Sequence, residues 1–351
     1  MNDQHAIDLL HGLVGIPSLS GAEAAACEFL AALMNEHGFD AHIDPAGNAI
    51  GSIGAGPETV VLLGHIDTVP GEIPVRIEDG VLWGRGAVDA KGSLATFVAA
   101  AARAQRGGNL RRRVIVAGCV EEEVASSKGA HHLAATLPAP DWCVVGEPSG
   151  AERVTLGYKG NLRAGIRLEQ AGAHSAHAAA SVAERGADIW QAIRADATVW
   201  NDGWTRAFDQ LLPTLASFNS AGDGLRDWCE LLVNVRLPLA LHPDEYAARL
   251  RALLPDDARL SVSGATAAYA GERTSPLARR FGRVMRELDI AARYVLKTGT
   301  ADMNVVGPAW GCPVVAYGPG DAALDHTPEE RLDLAEYLRA VTVLERVLLA
   351  P

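Results

Sequence analysis

The sequence is poor in cysteine, in basic charge and in long apolar runs. Its five cysteines are scattered and form no Cys-x-x-Cys pair, which argues against a disulfide scaffold or a thiolate zinc cluster and indicates a reducing cytoplasm. The 31 Lys+Arg against 43 Asp+Glu give a net charge of −12, without the basic excess that sequence-independent nucleic-acid binding needs. No apolar run approaches the roughly 18–20 residues that span a bilayer. Residues 1–17 lack a basic segment before an apolar stretch, so we expect neither membrane insertion nor a signal peptide.

The composition indicates a globular chain of two domains. Hydrophobic residues make up 48% of the 351 residues and charged residues 21%. Short apolar runs alternate with helical patterns up to about residue 150 and again after about residue 275. This alternation predicts an α/β fold with a mostly parallel sheet and helices on both faces. The predicted strands are 60–63, 113–118, 142–145 and 313–317, and the predicted helices include 3–14, 20–37, 91–103 and 328–349.

The pattern changes between these two stretches. Residues 154–170 and 228–238 alternate apolar and polar side chains, as half-buried strands do, and residues 181–198 and 243–254 have helical spacing. We therefore predict a catalytic metal-binding domain made of 1–153 and 270–351. The intervening 154–269 are predicted to form a lid or dimerisation domain with an antiparallel sheet and two helices.

Polar clusters follow the predicted strands of the α/β part. Open α/β sheets place their sites at the carboxyl ends of strands, so we expect these clusters to meet. They span residues 64–70, 84–92, 121–123, 146–149 and 325–328.

Each cluster also has an ordinary structural explanation when it is taken alone. His65 could be a buried histidine satisfied by local hydrogen bonds. Asp89 could cap the helix that follows it. The three glutamates at 121–123 could form a solvated turn.

The combination points instead to metal-dependent hydrolysis. Imidazoles and carboxylates without thiolates favour Zn²⁺ or a similar divalent ion. There are enough ligands for two ions about 3.5–4 Å apart that share one carboxylate. A spare glutamate beside a ligand glutamate can take a proton from water and pass it to the leaving amine.

The motif order His-x-Asp, Gly-Arg-Gly-x-x-Asp-x-Lys-Gly, Glu-Glu, Gly-Glu-Pro and a late His resembles the zinc amidohydrolase and exopeptidase family. That family includes acetylornithine deacetylase, succinyl-diaminopimelate desuccinylase and glutamate carboxypeptidase, and the resemblance covers essentially the whole chain. It implies two Zn²⁺ ions, with Co²⁺ as a substitute, held by His65, Asp89, Glu123, Glu147 and His326. Asp89 would bridge both ions and precede a cis peptide bond.

The resemblance also assigns two residues that act beside the metals. Glu122 would be the general base, and Asp67 would orient His65. Because three glutamates are adjacent, the alignment carries a one-residue ambiguity, which we resolve by placing Glu121 where relatives often carry aspartate.

Three further segments match the family outside the metal ligands. His174, in the Gly-Ala-His-Ser-Ala segment 172–176, would reach the active site of a neighbouring subunit and stabilise the oxyanion, which implies a homodimer. Arg236 would take the substrate α-carboxylate, although a purely structural role for this arginine stays open. Gly299 and Thr300 would line the substrate pocket.

Residues 146–150 and 156–160 resemble the branch of this family that releases lysine in bacterial and archaeal lysine synthesis. In that branch the substrate is an N-acyl amino acid or a small acidic amino-group carrier protein that holds lysine, or ornithine, through its α-amino group. Acetylornithine deacetylase, succinyl-diaminopimelate desuccinylase and dipeptidase activities remain alternatives. A non-catalytic binding protein on the same fold is a different class of alternative, for which loss of ligands would be the sign.

Overall fold

A computed structural model describes residues 1–172 and 180–351, which divide into two compact units. Unit 1 consists of Met1–Gly157, Gly271–Leu296 and Ala301–Pro351. Unit 2 consists of Tyr158–Ala270 and Lys297–Thr300, so Gly299 and Thr300 belong to unit 2 although the sequence pattern groups them with residues 270–351.

The described residues form α-helices and β-strands, numbered in chain order. The helices are α1 (Asp3–Val14), α2 (Ala24–Glu36), α3 (Lys91–Arg106), α4 (Lys128–Thr136), α5 (Val182–Asn201), α6 (Pro243–Leu253), α7 (Pro276–Glu287), α8 (Met303–Trp310) and α9 (Leu334–Leu349). The strands are β1 (Asp40–Ile43), β2 (Ala49–Ile53), β3 (Glu58–His65), β4 (Arg76–Glu78), β5 (Val81–Trp83), β6 (Arg112–Cys119), β7 (Trp142–Gly146), β8 (Arg153–Tyr158), β9 (Gly160–Ala171), β10 (Leu212–Gly222), β11 (Arg226–Leu237), β12 (Arg259–Thr266), β13 (Tyr269–Ala270), β14 (Arg293–Lys297), β15 (Val314–Ala316) and β16 (Arg331–Asp333).

The main sheet of unit 1 has the strand order β1-β2-β6-β3-β7-β15-β8. Its centre is parallel, because β3 pairs in parallel with β6 and β7, and β7 with β15. The outer pairs β1–β2, β2–β6 and β15–β8 are antiparallel. The predicted α/β class with a mostly parallel sheet is confirmed, and the carboxyl ends of β3, β6 and β7 lie side by side.

Both faces of the central strand β3 are covered by the rest of unit 1. Val60 and Leu62 point to one face and Val61 and Leu63 to the other, and all four side chains are fully buried. This double burial explains why β3 reads as a continuous apolar run rather than an alternating one.

A row of glycines lies across the sheet where the strands reach the polar clusters. Gly64 of β3 is in register with Gly118 of β6 and Gly146 of β7. A Cβ atom at Gly146 would lie 2.9 Å from the ring of Phe97, and one at Gly64 would lie 3.3 Å from Leu94 Cβ. The missing side chains therefore let α3 pack closely against the strand ends that carry the site.

A small sheet has the order β16-β5-β4, and of its three strands β16 follows the late histidine in sequence. Arg331 of β16 pairs with Trp83 of β5, and Leu332 pairs with Leu82. The last helix therefore begins at Leu334, not at residue 328 as its apolar spacing suggests, because residues 331–333 form a strand.

Unit 2 is an antiparallel sheet of order β10-β11-β9-β12 with α5 and α6 packed on it. Ser181 and Glu184 form a reciprocal capping box at the start of α5, and Pro243 occupies the first turn of α6. The unit has its own apolar core, which includes Leu162, Ile166 and Ile193. Among the residues that the structure describes, no helix combines the length and apolarity needed to cross a membrane.

Candidate metal centre

His65 lies at the carboxyl end of β3 and is almost fully buried. Its Nδ1 donates to the backbone carbonyl of Asp67 at 3.0 Å, and its Nε2 faces Asp89 Oδ1 at 3.1 Å. Burial opposes the charged ring, but the hydrogen bonds to Asp67 and Asp89 outweigh it and raise the pKa of His65 well above its usual value.

Asp67 is fully buried and organises more than the neighbouring histidine. Its Oδ1 accepts the backbone N–H of Glu122 at 3.0 Å, and its Oδ2 accepts the N–H of Glu123 at 3.0 Å. Oδ2 also accepts the hydroxyl of Ser20 at 2.7 Å. Burial favours the neutral acid, yet these hydrogen bonds and His65 lower the pKa of Asp67. Asp67 thus fixes the start of the glutamate loop as well as His65.

Asp89 lies between two imidazoles from distant parts of the chain. Its Oδ1 faces His65 Nε2 and its Oδ2 faces His326 Nε2, each at 3.1 Å. Burial opposes the charge, but the bonds from His326 and His65 lower the pKa of Asp89 far below its usual value. Its carboxylate therefore does not cap α3, whose N-cap position is held by Ala90. The Asp89–Ala90 peptide bond is cis.

His326 completes the cluster from the loop before β16. Its Nε2 lies 3.1 Å from Glu123 Oε1 as well as 3.1 Å from Asp89 Oδ2. These two carboxylates raise the pKa of His326 to about 10. Ligand atoms of His65, Asp89 and Glu123 lie within 4.8 Å of one another, so these three residues could hold a metal ion.

Two more carboxylates stand beside these groups. Glu147 follows Gly146, which is in register with Gly64, so Glu147 emerges next to His65. Burial raises the pKa of Glu122 well above its usual value, and the carboxylates of Glu147, Asp302 and Glu123 add to the effect against the opposing charge of His65. The surroundings of Glu122 thus favour the neutral form of its side chain.

The donor set fits divalent cations. Two imidazoles lie against two carboxylates: Nε2 of His65 faces Asp89, and Nε2 of His326 faces both Asp89 and Glu123. Imidazole nitrogen and carboxylate oxygen, without thiolate, are ligands of zinc and similar ions. The two oxygens of Asp89 face different histidines, which is how one carboxylate serves two ions. The sequence predicts His65, Asp89, Glu123, Glu147 and His326 as ligands and Glu122 as a residue that does not coordinate.

Arg236 and Thr300, two of the predicted substrate-binding residues, are neighbours in unit 2. Arg236 Nη1 donates to Thr300 Oγ1 at 2.8 Å, and the Thr300 hydroxyl lies 3.0 Å from the carbonyl of Lys159. At Gly299 the nearest atom to an added Cβ would be 3.9 Å away, on the ring of Tyr158, so space does not require glycine there.

One predicted residue cannot be placed, and the site roles of two others, Ser20 and Glu330, were missed. His174 lies outside the described residues. The sequence pattern makes Ser20 a helix cap, but α2 begins at Ala24 and Ser20 instead binds Asp67. The buried Glu330 and Asp302 also support the site, and burial, opposed by His65 and reinforced by Asp67, raises the pKa of Asp302 to about 7. The sequence signal for Glu330 is a charge four residues after the predicted ligand His326, whereas Asp302 lies two residues after Thr300, in the segment predicted to line the pocket.

Comparison with known proteins places this centre in a family. The profile of Peptidase family M20/M25/M40 matches residues 61–350. The [LysW]-lysine hydrolase of Deinococcus radiodurans is 45% identical over 98% of this chain and 96% of its own. The [LysW]-lysine/[LysW]-ornithine hydrolase of Saccharolobus islandicus is 28% identical over 95% of this chain and 92% of its own.

Solved structures agree on the fold. A tripeptidase from Staphylococcus aureus superposes with a TM-score of 0.82 at 17% identity, over 99% of this chain and 98% of that one. At this identity the likeness speaks for the fold alone. The profile match and the Deinococcus radiodurans relative confirm the family that the sequence motifs resemble: the chain belongs to peptidase family M20/M25/M40 and is an amide hydrolase.

Proposed function

We propose that this chain is a two-metal hydrolase that releases lysine from a form acylated on its α-amino group, as a step of lysine or arginine biosynthesis. The observation that carries the proposal is the Asp89 carboxylate held between His65 and His326, with the half-buried Glu122 close in sequence to Glu123, which also contacts His326. The name of the Deinococcus radiodurans relative, 45% identical along nearly the whole chain, supports lysine as the amino acid.

Two Zn²⁺ ions are the proposed cofactors, with Co²⁺ as a substitute. His65 and Glu147 would hold one ion, His326 and Glu123 the other, and Asp89 both. When bound, such ions polarise the scissile carbonyl and acidify a water molecule.

Glu122 is the proposed general base and then the general acid. Its environment raises its pKa, so it can accept a proton from water and keep it long enough to deliver it to the departing α-amine. Asp67 positions Glu122 through its backbone N–H. The oxyanion role proposed for His174 rests on the motif at 172–176 alone.

Arg236 is the proposed site for the α-carboxylate of the amino acid. A guanidinium presents two parallel N–H donors to a carboxylate, and the Thr300 hydroxyl holds one edge of this guanidinium in place. Because the carboxylate does not react, this contact should contribute to binding more than to the chemical step.

The proposed natural substrate is a small acidic carrier protein linked to lysine. The ornithine conjugate is a second candidate, because the Saccharolobus islandicus relative is named for both amino acids. We also propose a cytoplasmic homodimer: the five cysteines are free thiols, as in a reducing compartment, and the 172–176 motif implies a subunit partner.

Release of free amino acid from paired substrates tests the proposed function. With zinc or cobalt, we expect kcat/KM for carrier-linked lysine to exceed that for carrier-linked ornithine by about 10-fold or more, the discrimination that one methylene allows. N-acetyl-ornithine and N-succinyl-diaminopimelate should be poorer still. Faster turnover of either small substrate, or no turnover of any, would contradict the proposal.

The assignment of the general base is tested by adjacent glutamine variants. Glu122→Gln should lower kcat by about 10²- to 10⁴-fold, because no other group would carry the proton, while metal binding is retained. Glu121→Gln is the matched control, since the Glu121 carboxylate is already engaged by Ser126 and Lys128. If Glu121→Gln loses activity and Glu122→Gln keeps it, the general base is Glu121, and the alignment of the three glutamates with the family is wrong by one residue.

The proposed carboxylate site predicts a binding defect. Arg236→Ala should raise KM by about 10- to 100-fold, the value of a charge-assisted hydrogen bond, with a smaller change in kcat. Arg163→Ala on the adjacent strand is the control, because Arg163 is exposed and its Nε bonds the side chain of Asn234. A substrate whose α-carboxylate is amidated should abolish the difference between Arg236→Ala and wild type; a persisting difference would refute the assignment.

A further inference from the structure

Glu330 is a fully buried carboxylate that lies next to the bridging aspartate without being one of the proposed ligands. Its Oε1 accepts the backbone N–H of Val88 at 2.9 Å and the N–H of Asp89 at 3.1 Å. Its Oε2 accepts Nη1 of Arg85 at 2.7 Å. Both oxygens are thus occupied by the segment that carries Asp89.

The small sheet explains why Glu330 reaches this segment. Glu330 directly precedes β16, and β16 pairs with β5, which leads into the glycine-rich turn before Asp89. The backbone N–H of Gly84 also points at the carbonyl of Glu330, at 3.4 Å. The pairing of two short strands therefore brings the loop after His326 onto the loop of Asp89.

Arg85 extends the connection to a third segment. Its Nε donates to the carbonyl of Gly71, in the loop that follows His65, at 2.9 Å, while its Nη1 pairs with Glu330. Its side chain is largely buried. The Arg85–Glu330 pair thereby ties together the segments that supply His65, Asp89 and His326.

A buried carboxylate is costly unless hydrogen bonds and an opposite charge compensate it, and here they do. A charge pair that served only stability could lie anywhere in the unit. The Glu330 carboxylate instead accepts hydrogen bonds from the peptide N–H groups of Asp89 and of the residue before it. It therefore fixes the backbone from which the bridging carboxylate projects. Groups that orient metal ligands in this way commonly change metal affinity by about 10- to 100-fold.

We propose that Glu330, held by Arg85, is a positioning residue that sets the Asp89 carboxylate for the two metal ions. The inference rests on the proposed two-metal function. It assigns Glu330 no contact with substrate or metal, and it predicts an effect on metal binding that a purely structural charge pair would not have.

The test is a calorimetric titration of Zn²⁺ and Co²⁺ into the metal-free full chain, with thermal unfolding of the same metal-free samples. Glu330→Gln should weaken metal binding by about 10- to 100-fold. Its kcat at limiting metal should fall and recover with excess metal, while KM changes little. Arg85→Lys keeps the positive charge but not the guanidinium that contacts Gly71 and Glu330 together, so its metal affinity should fall by less than that of Glu330→Gln. Arg85→Lys also tests the inference if Glu330→Gln does not fold.

Glu58→Gln is the matched control. Glu58 also pairs with an arginine, Arg112, and accepts a second hydrogen bond from Trp142, but at the amino end of β3, away from the site. We expect Glu58→Gln to lower thermal stability and to leave metal affinity unchanged. If Glu330→Gln binds metal as tightly as wild type, the inference is overturned while the two-metal function stands. If Glu330→Gln does not fold, wild-type metal affinity in Arg85→Lys overturns the inference in the same way. A wild-type chain that binds no divalent ion overturns the two-metal function itself.

Discussion

The structure depends on one carboxylate facing two imidazoles. Asp89 presents one oxygen to His65 and the other to His326, and these three residues come from separate segments of unit 1. Bringing so many acidic groups together without compensation would be unfavourable. The neighbouring carboxylates raise the pKa of His65 and of His326, and burial raises that of Glu122, so the site favours positive charge at its centre.

The parallel centre of the sheet makes this convergence possible. Parallel strands end at the same edge, so residues that follow β3, β6 and β7 become neighbours regardless of their distance in sequence. The glycine row at 64, 118 and 146 allows α3 to pack directly behind that edge. The buried carboxylate of Asp67 accepts the backbone N–H groups of Glu122 and Glu123. The buried carboxylate of Glu330 accepts that of Asp89, so these two carboxylates fix the backbone that carries the acidic side chains of the site.

Much of this could be predicted because strand-end polar clusters are a local signal. The buried strands, α3 and the ligand clusters were recognisable from apolar runs followed by histidine or acid. What the sequence could not reveal depends on tertiary pairing: β16 is three residues long and precedes a strong helical pattern, and the exposed strand β10 lacks a buried face. Ser20 looks like a cap until the fold brings it to Asp67, and Glu330 looks like a surface charge until β16 meets β5.

Within unit 2 the guanidinium of Arg236 donates to the hydroxyl of Thr300, and the substrate role of this arginine is a proposal. The central claim nevertheless concerns the metals. Anomalous diffraction at the zinc edge from zinc-loaded crystals tests it most directly. Two peaks are predicted, one beside His65 and Glu147 and one beside His326 and Glu123, with Asp89 touching both. A single peak, or peaks away from Asp89, would contradict the account.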